Sequence, residues 1–70
     1  MLATDKQINY LESLQNRVKR LNVAVPHRNW RHERDVLGMT ATDASARIDA
    51  YKRIIQGANL RAILLGFRHF

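Results

Sequence analysis

The segment TDKQINYLESLQNRVKRL, residues 4–21, carries a helix start, a helical period and a basic end. Thr4 and Gln7 are spaced as a capping box. The Thr4 hydroxyl can accept from the backbone N–H three residues on, and Gln7 can reach back to the N–H of Thr4. Asp5 adds negative charge in the first turn, where the helix dipole favours it. Ile8, Leu11, Leu14 or Gln15, Val18 and Leu21 then recur at helical spacing. Arg17, Lys19 and Arg20 gather at the opposite end of the dipole, and Asn22 can stop the helix. The pattern predicts a helix over 5–21.

Residues 22–31 lose that period. Val23 and Val25 alternate with Ala24, and Pro26 removes a backbone donor and pushes Val25 toward extended geometry. An ordered extended loop is expected here, its valines and Trp30 covering one side of the core. A short helix is expected over 33–39, with contacts from Val36, Leu37 and Met39 and an end weakened by Gly38. Thr40-Ala41-Thr42-Asp43 is a second start signal, followed by Ala44, Ile48, Tyr51 and Ile55 at i, i+4, i+7 and i+11. This predicts a helix over 41–56 that stops at Gly57. Asn59 then caps a last helix with an apolar stripe of Leu60, Ile63, Leu64 and Phe67. The expected fold is all-α: one domain over 1–70, a compact bundle of three to four helices with an extended basic loop after the first.

A chain of 70 residues buries only about 60% of its unfolded surface, so its core is thin. Cysteine is absent, which removes disulfides and thiolate metal sites and leaves regular helix packing or a partner chain as the source of stability. Met1 and Leu2 are followed by Asp5, Lys6 and Gln7 rather than by an apolar run. The apolar stretch Ala62-Ile63-Leu64-Leu65 falls far short of the roughly 18 residues of a membrane span. A cytoplasmic protein with no membrane partner is expected.

Charge points to a partner. The formal net charge is +6, and residues 17–34 alone hold six bases (Arg17, Lys19, Arg20, Arg28, Arg31, Arg34) against one acid, Glu33. A concentrated positive field attracts polyanions. Arginine forks suit phosphate oxygens, and Trp30 among them offers either a platform for a base or the central residue of a small core. The expected function is nucleic-acid binding, DNA ahead of RNA, carried by Arg17, Lys19, Arg20, Arg28, Trp30, Arg31 and Arg34. Phosphate contacts position but do not specify, so sequence preference should be weak.

Other chemistry finds little footing. His27, His32 and Asp35 have the residue types of a metal site but are spread over an irregular stretch with no fourth ligand. There is no glycine-rich phosphate loop and no pair of carboxylates beside a base, so no catalytic residue, metal or cofactor is expected. The C-terminal run supplies a different expectation. Leu60, Ile63, Leu64, Leu65, Phe67 and Phe70 form either the lid of the core or a protein interface, for a homodimer or a host protein.

Two stretches also resemble a family of small phage and actinobacterial modules. Thr4-Asp5-Lys6-Gln7-Ile8-Asn9-Tyr10-Leu11-Glu12-Ser13-Leu14 looks like a T-x-x-Q-x-x-Y-[LI]-x-x-L opening. Met39-Thr40-Ala41-Thr42-Asp43-Ala44-Ser45-Ala46-Arg47-Ile48-Asp49 is similar to an L-T-x-x-[ED]-A-S-x-x-I-[DE] closing motif. In outline the pattern resembles helix–extended loop–helix DNA-binding modules of the SAP and HeH types. The resemblance implies a phage or mobile-element origin and a nucleic-acid-associated role. The longer, more basic connection and the apolar extension after Gly57 depart from that pattern.

Overall fold

A computed structural model describes the backbone of residues 1–67 and the side chains of residues 1–61. It is all-α, with α1 over Asp5–Arg20, α2 over Trp30–Asp35 and α3 over Ala41–Phe67. Helix α1 begins and ends as its sequence dictates. The Thr4 side chain accepts from the Gln7 N–H at 3.1 Å, and the Gln7 side chain accepts from the Thr4 N–H at 3.0 Å. At the other end Asn22 takes a left-handed backbone, φ 58°. That geometry turns the N–H of Asn22 to the carbonyl of Lys19 and that of Val23 to Val18, satisfying carbonyls the helix would otherwise leave open.

Helix α3 starts in the same way, beside α1. Thr40 accepts from the Asp43 N–H at 3.1 Å, and Asp43 accepts from the Thr40 N–H at 3.3 Å. The two starts are tied together twice. The Gln7 amide donates to the Ala41 carbonyl at 3.1 Å and to the Ser45 hydroxyl at 3.2 Å. Residues 1–3 lie antiparallel to 39–41, with an isolated bridge between Leu2 and Thr40 and bonds from Ala3 N–H to Met39 and from Ala41 N–H to Met1. Further along, Tyr51 of α3 meets Gln15 of α1. The helices therefore run parallel, and the chain between them must return the length of α1, about 24 Å for its 16 residues.

The core lies in the angle between these helices. Ile8, Leu11, Leu14 and Val18 of α1 face Ala44, Ile48, Tyr51 and Ile55 of α3, with Ala3, Trp30 and Met39 closing the cluster. Trp30 is 1% exposed, its ring edge-on to Tyr51 at 6.0 Å between centroids. Val23 and Val25 pack against the same cluster from the returning segment. Burying a side chain such as Leu11 contributes roughly 1.5–3 kcal/mol, and the tryptophan is the largest of those fully buried.

The polar exception is Gln15, 3% exposed. Its Oε1 accepts from the Arg28 N–H at 3.0 Å and its Nε2 donates to the Arg28 carbonyl at 3.2 Å, so one side chain grips both backbone groups of one residue. The Tyr51 hydroxyl adds a long bond to the same Oε1 at 3.5 Å. This clamp holds the segment 23–29, which has no regular secondary structure, against α1.

Several sequence expectations are corrected. The short helix forms over Trp30–Asp35 instead of 33–39, because the Asn29 side chain caps it by accepting from the His32 N–H. Met39 is buried as expected, but Val36 and Leu37 are 66% and 68% exposed. Gly57 does not stop α3, and Asn59 does not start a new helix. Gly57 has no left-handed backbone, and its cost of about 1 kcal/mol relative to alanine is small beside a continuous helical run. Of the two arginines expected on the extended stretch 22–31, Arg28 lies in the irregular segment 23–29 and Arg31 lies in α2.

Two substitutions at glycine should act in opposite directions. Gly57→Ala, whose new methyl meets nothing within 4 Å, should raise stability by about 0.5–1 kcal/mol. Gly38→Ala, at φ +76°, should lower it by about 1–2 kcal/mol despite equally open space. Gln15→Ala should cost about 1–3 kcal/mol by stranding the Arg28 N–H. Urea midpoints followed by Trp30 fluorescence would measure all three.

Candidate nucleic-acid interface

The seven residues expected to contact nucleic acid separate into two groups. Arg17, Lys19 and Arg20 occupy the last turn of α1 and are exposed, and none makes an ion pair among the described residues. Lys19 Nζ lies 2.9 Å from His27 Nδ1, a contact in which the lysine donates to the imidazole. Their position follows from the helix itself: the apolar stripe of α1 is buried, which turns these bases outward.

The other group is drawn into the structure. Arg34 is 14% exposed at its side chain. Its guanidinium bonds to Asp5 at the head of α1, to Asp35 at 2.8 Å and to the Ala3 carbonyl at 3.4 Å. Arg28 pairs with Glu33 at 3.2 Å and lies over the Trp30 ring, 5.5 Å from its centroid. Arg47 of α3 lies over the same ring at 5.6 Å. Arg31 is half free, with Asp5 at 4.0 Å. Of the two roles open to Trp30, platform for a base or central core residue, it takes the second, its ring enclosed by Tyr51 and the two arginines.

Asp5 is the hinge of this electrostatic arrangement. The hydrogen bond from Arg34, then its charge and that of Arg31, hold the carboxyl below its usual range. Tyr51 is shifted the other way, since burial pushes its phenol up while Arg28 and Arg47 oppose the shift. Among the described residues, no three of His, Cys, Asp and Glu come together as a metal site. His27 is engaged instead with Lys19 and Gln15.

A second basic patch was not singled out by the sequence. Lys6, Tyr10 and Arg17 fall on one flank of α1 at i, i+4 and i+11. Tyr10 is 42% exposed, and Lys52 of α3 stands 5.6 Å from its ring centroid. A shallow recess beside the ring is lined by Thr4, Lys6, Gln7 and Tyr10, with no acid among them. The helical spacing was available in the sequence, whereas the approach of Lys52 depends on how α3 packs.

Of the residues expected at a protein interface, Leu60 is 57% exposed on α3. Ile63, Leu64, Leu65 and Phe67 lie outside the described side chains, and Phe70 lies outside the described residues altogether. The last buried residue of α3 among those described is Ile55. No helix among the described residues is long and apolar enough to cross a membrane.

The Asp5 arrangement has a pH signature. A carboxylate held below its ordinary value contributes stability that is complete above the ordinary aspartate pKa and disappears as pH falls through the lowered one. Asp5→Asn should therefore lower the urea midpoint at pH 7, and the gap to the parent should close as the pH falls below the ordinary aspartate range. A gap that persists unchanged into acid would assign the loss to something other than the Arg31 and Arg34 contacts.

Compared with known proteins, the sequence matches no family model, and neither a curated protein nor a solved structure is significantly similar to it.

Proposed function

We propose that the protein binds nucleic acid, DNA in preference to RNA, mainly through phosphates and with weak sequence preference. The observation that carries this reading is the trio Arg17, Lys19 and Arg20, which project from the end of α1 without acidic partners among the described residues. Cations already matched by acids have little field left to offer, so Arg28 and Arg34 belong to the scaffold in this reading and Arg31 is an auxiliary. Lys6 and Lys52 extend the positive surface along α1 and onto α3. A surface of separate, solvated bases suits a phosphate backbone, which repeats its charge and does not demand one geometry.

A second reading keeps support from α3. The helix continues to Phe67, well past Ile55, and Leu60 is largely exposed. An apolar stripe on such an extension fits a protein-interaction module that binds a second copy or a host protein.

Fluorescence anisotropy with labelled duplex DNA, single-stranded DNA and RNA at rising salt tests the leading reading. Binding should weaken with a linear log–log slope equivalent to several phosphates. The combined Arg17→Ala, Lys19→Ala and Arg20→Ala variant should reduce that slope by about 0.9 per lost duplex contact. Absence of binding at low salt would remove the reading and leave the protein-interaction reading of α3.

A further inference from the structure

Tyr10 is an exposed aromatic side chain in a setting where the fold gives it little to do. It is outside the core cluster, and its hydroxyl makes no hydrogen bond among those of the described residues. Cations surround it. Lys6 lies one turn before it and Arg17 two turns after it on the same flank, about 6 Å and 10 Å along the helix axis. Lys52 approaches from α3 to 5.6 Å from the ring centroid. Tyr10 is 42% exposed and lines an open recess together with Thr4, Lys6 and Gln7. No described ion pair neutralises any of the three.

An aromatic ring open to solvent between spaced cations has the chemistry of a single-strand binding surface. The ring supplies a π-face for a base, and the cations meet the phosphates on each side of it. A duplex cannot use such a ring, because its bases are already stacked on one another. We propose that Tyr10 is a stacking platform for an unpaired base, and that Lys6, Lys52 and Arg17 hold the flanking phosphates of single-stranded DNA laid along α1. This rests on the nucleic-acid reading and specifies its substrate: one unstacked strand, read by ring and charge rather than by base edges. Trp30, the aromatic residue within the basic segment, is thereby replaced in this role by a tyrosine outside it.

The test compares a labelled oligothymidylate with a duplex of the same length. The parent protein should bind the single strand more tightly. Tyr10→Ala should weaken single-strand binding by about tenfold or more while changing duplex binding little, and Tyr10→Phe, which keeps the ring, should restore it. Irradiation of the complex with a 5-bromodeoxyuridine strand should place the crosslink on the peptide containing Tyr10. Equal single-strand affinity of Tyr10→Ala and the parent overturns the proposal, as does a Tyr10→Phe variant as weak as Tyr10→Ala. If the parent binds both forms and Tyr10→Ala affects neither, the platform fails while nucleic-acid binding stands. If the parent binds neither form, both fail.

Discussion

The parallel placement of α1 and α3 is the constraint from which the other features follow. Two helices that start at one point and run in the same direction cannot be joined by a tight turn, so the chain must come back along the whole of α1. The return is built from polar anchors as much as from apolar packing. Gln7 and the bridge between Leu2 and Thr40 fix where both helices begin. Gln15 fixes the returning segment halfway, and Trp30 plugs the space between that segment and both long helices. A buried glutamine that bonds both groups of a backbone unit costs little, because each polar atom it buries is matched.

The same constraint sorts the charges. Helix α2 is short and has only one strongly buried residue, so it needs other attachments. Arg34 and Arg31 supply them by reaching Asp5 on α1, and Arg28 supplies another by closing over Trp30 toward Glu33. The arginines of residues 28–34 are consequently spent largely within the molecule. The exposed bases without acidic partners among the described residues lie at the end and outer flank of α1 and along α3, at Lys52, Arg53 and Arg61.

Much of the fold was legible in the sequence because it rests on local rules. The Thr4–Gln7 and Thr40–Asp43 caps, the left-handed Asn22 and the stripe from Ile8 to Val18 need only neighbouring residues to be understood. The misread elements depend on the balance of small terms. Asn29 as a cap moved α2 forward, and Gly57 was outweighed by the helix formers around it. The roles of Gln7 and Gln15 could not be read, since the partners Ser45, Ala41, Arg28 and Tyr51 lie 13 to 38 residues away. The candidate site was half legible for the same reason. Composition located the positive charge, but which arginine would meet an acid was decided by the path of the returning chain.

That path also bears on how the chain reaches its native state. The contacts that join α1 to α3 span 34 to 38 residues, whereas the Gln15 clamp on Arg28 spans 13. Closing a longer loop costs more entropy before any contact rewards it, and non-local contacts slow folding. A helical protein assembled from adjacent antiparallel pairs avoids that delay, and this one does not. Loop-closure entropy therefore favours forming α1 and its clamp on Arg28 before α3 docks. The long-range contacts between α1 and α3 accordingly slow the folding of this domain relative to a helical domain of the same length built from adjacent antiparallel pairs.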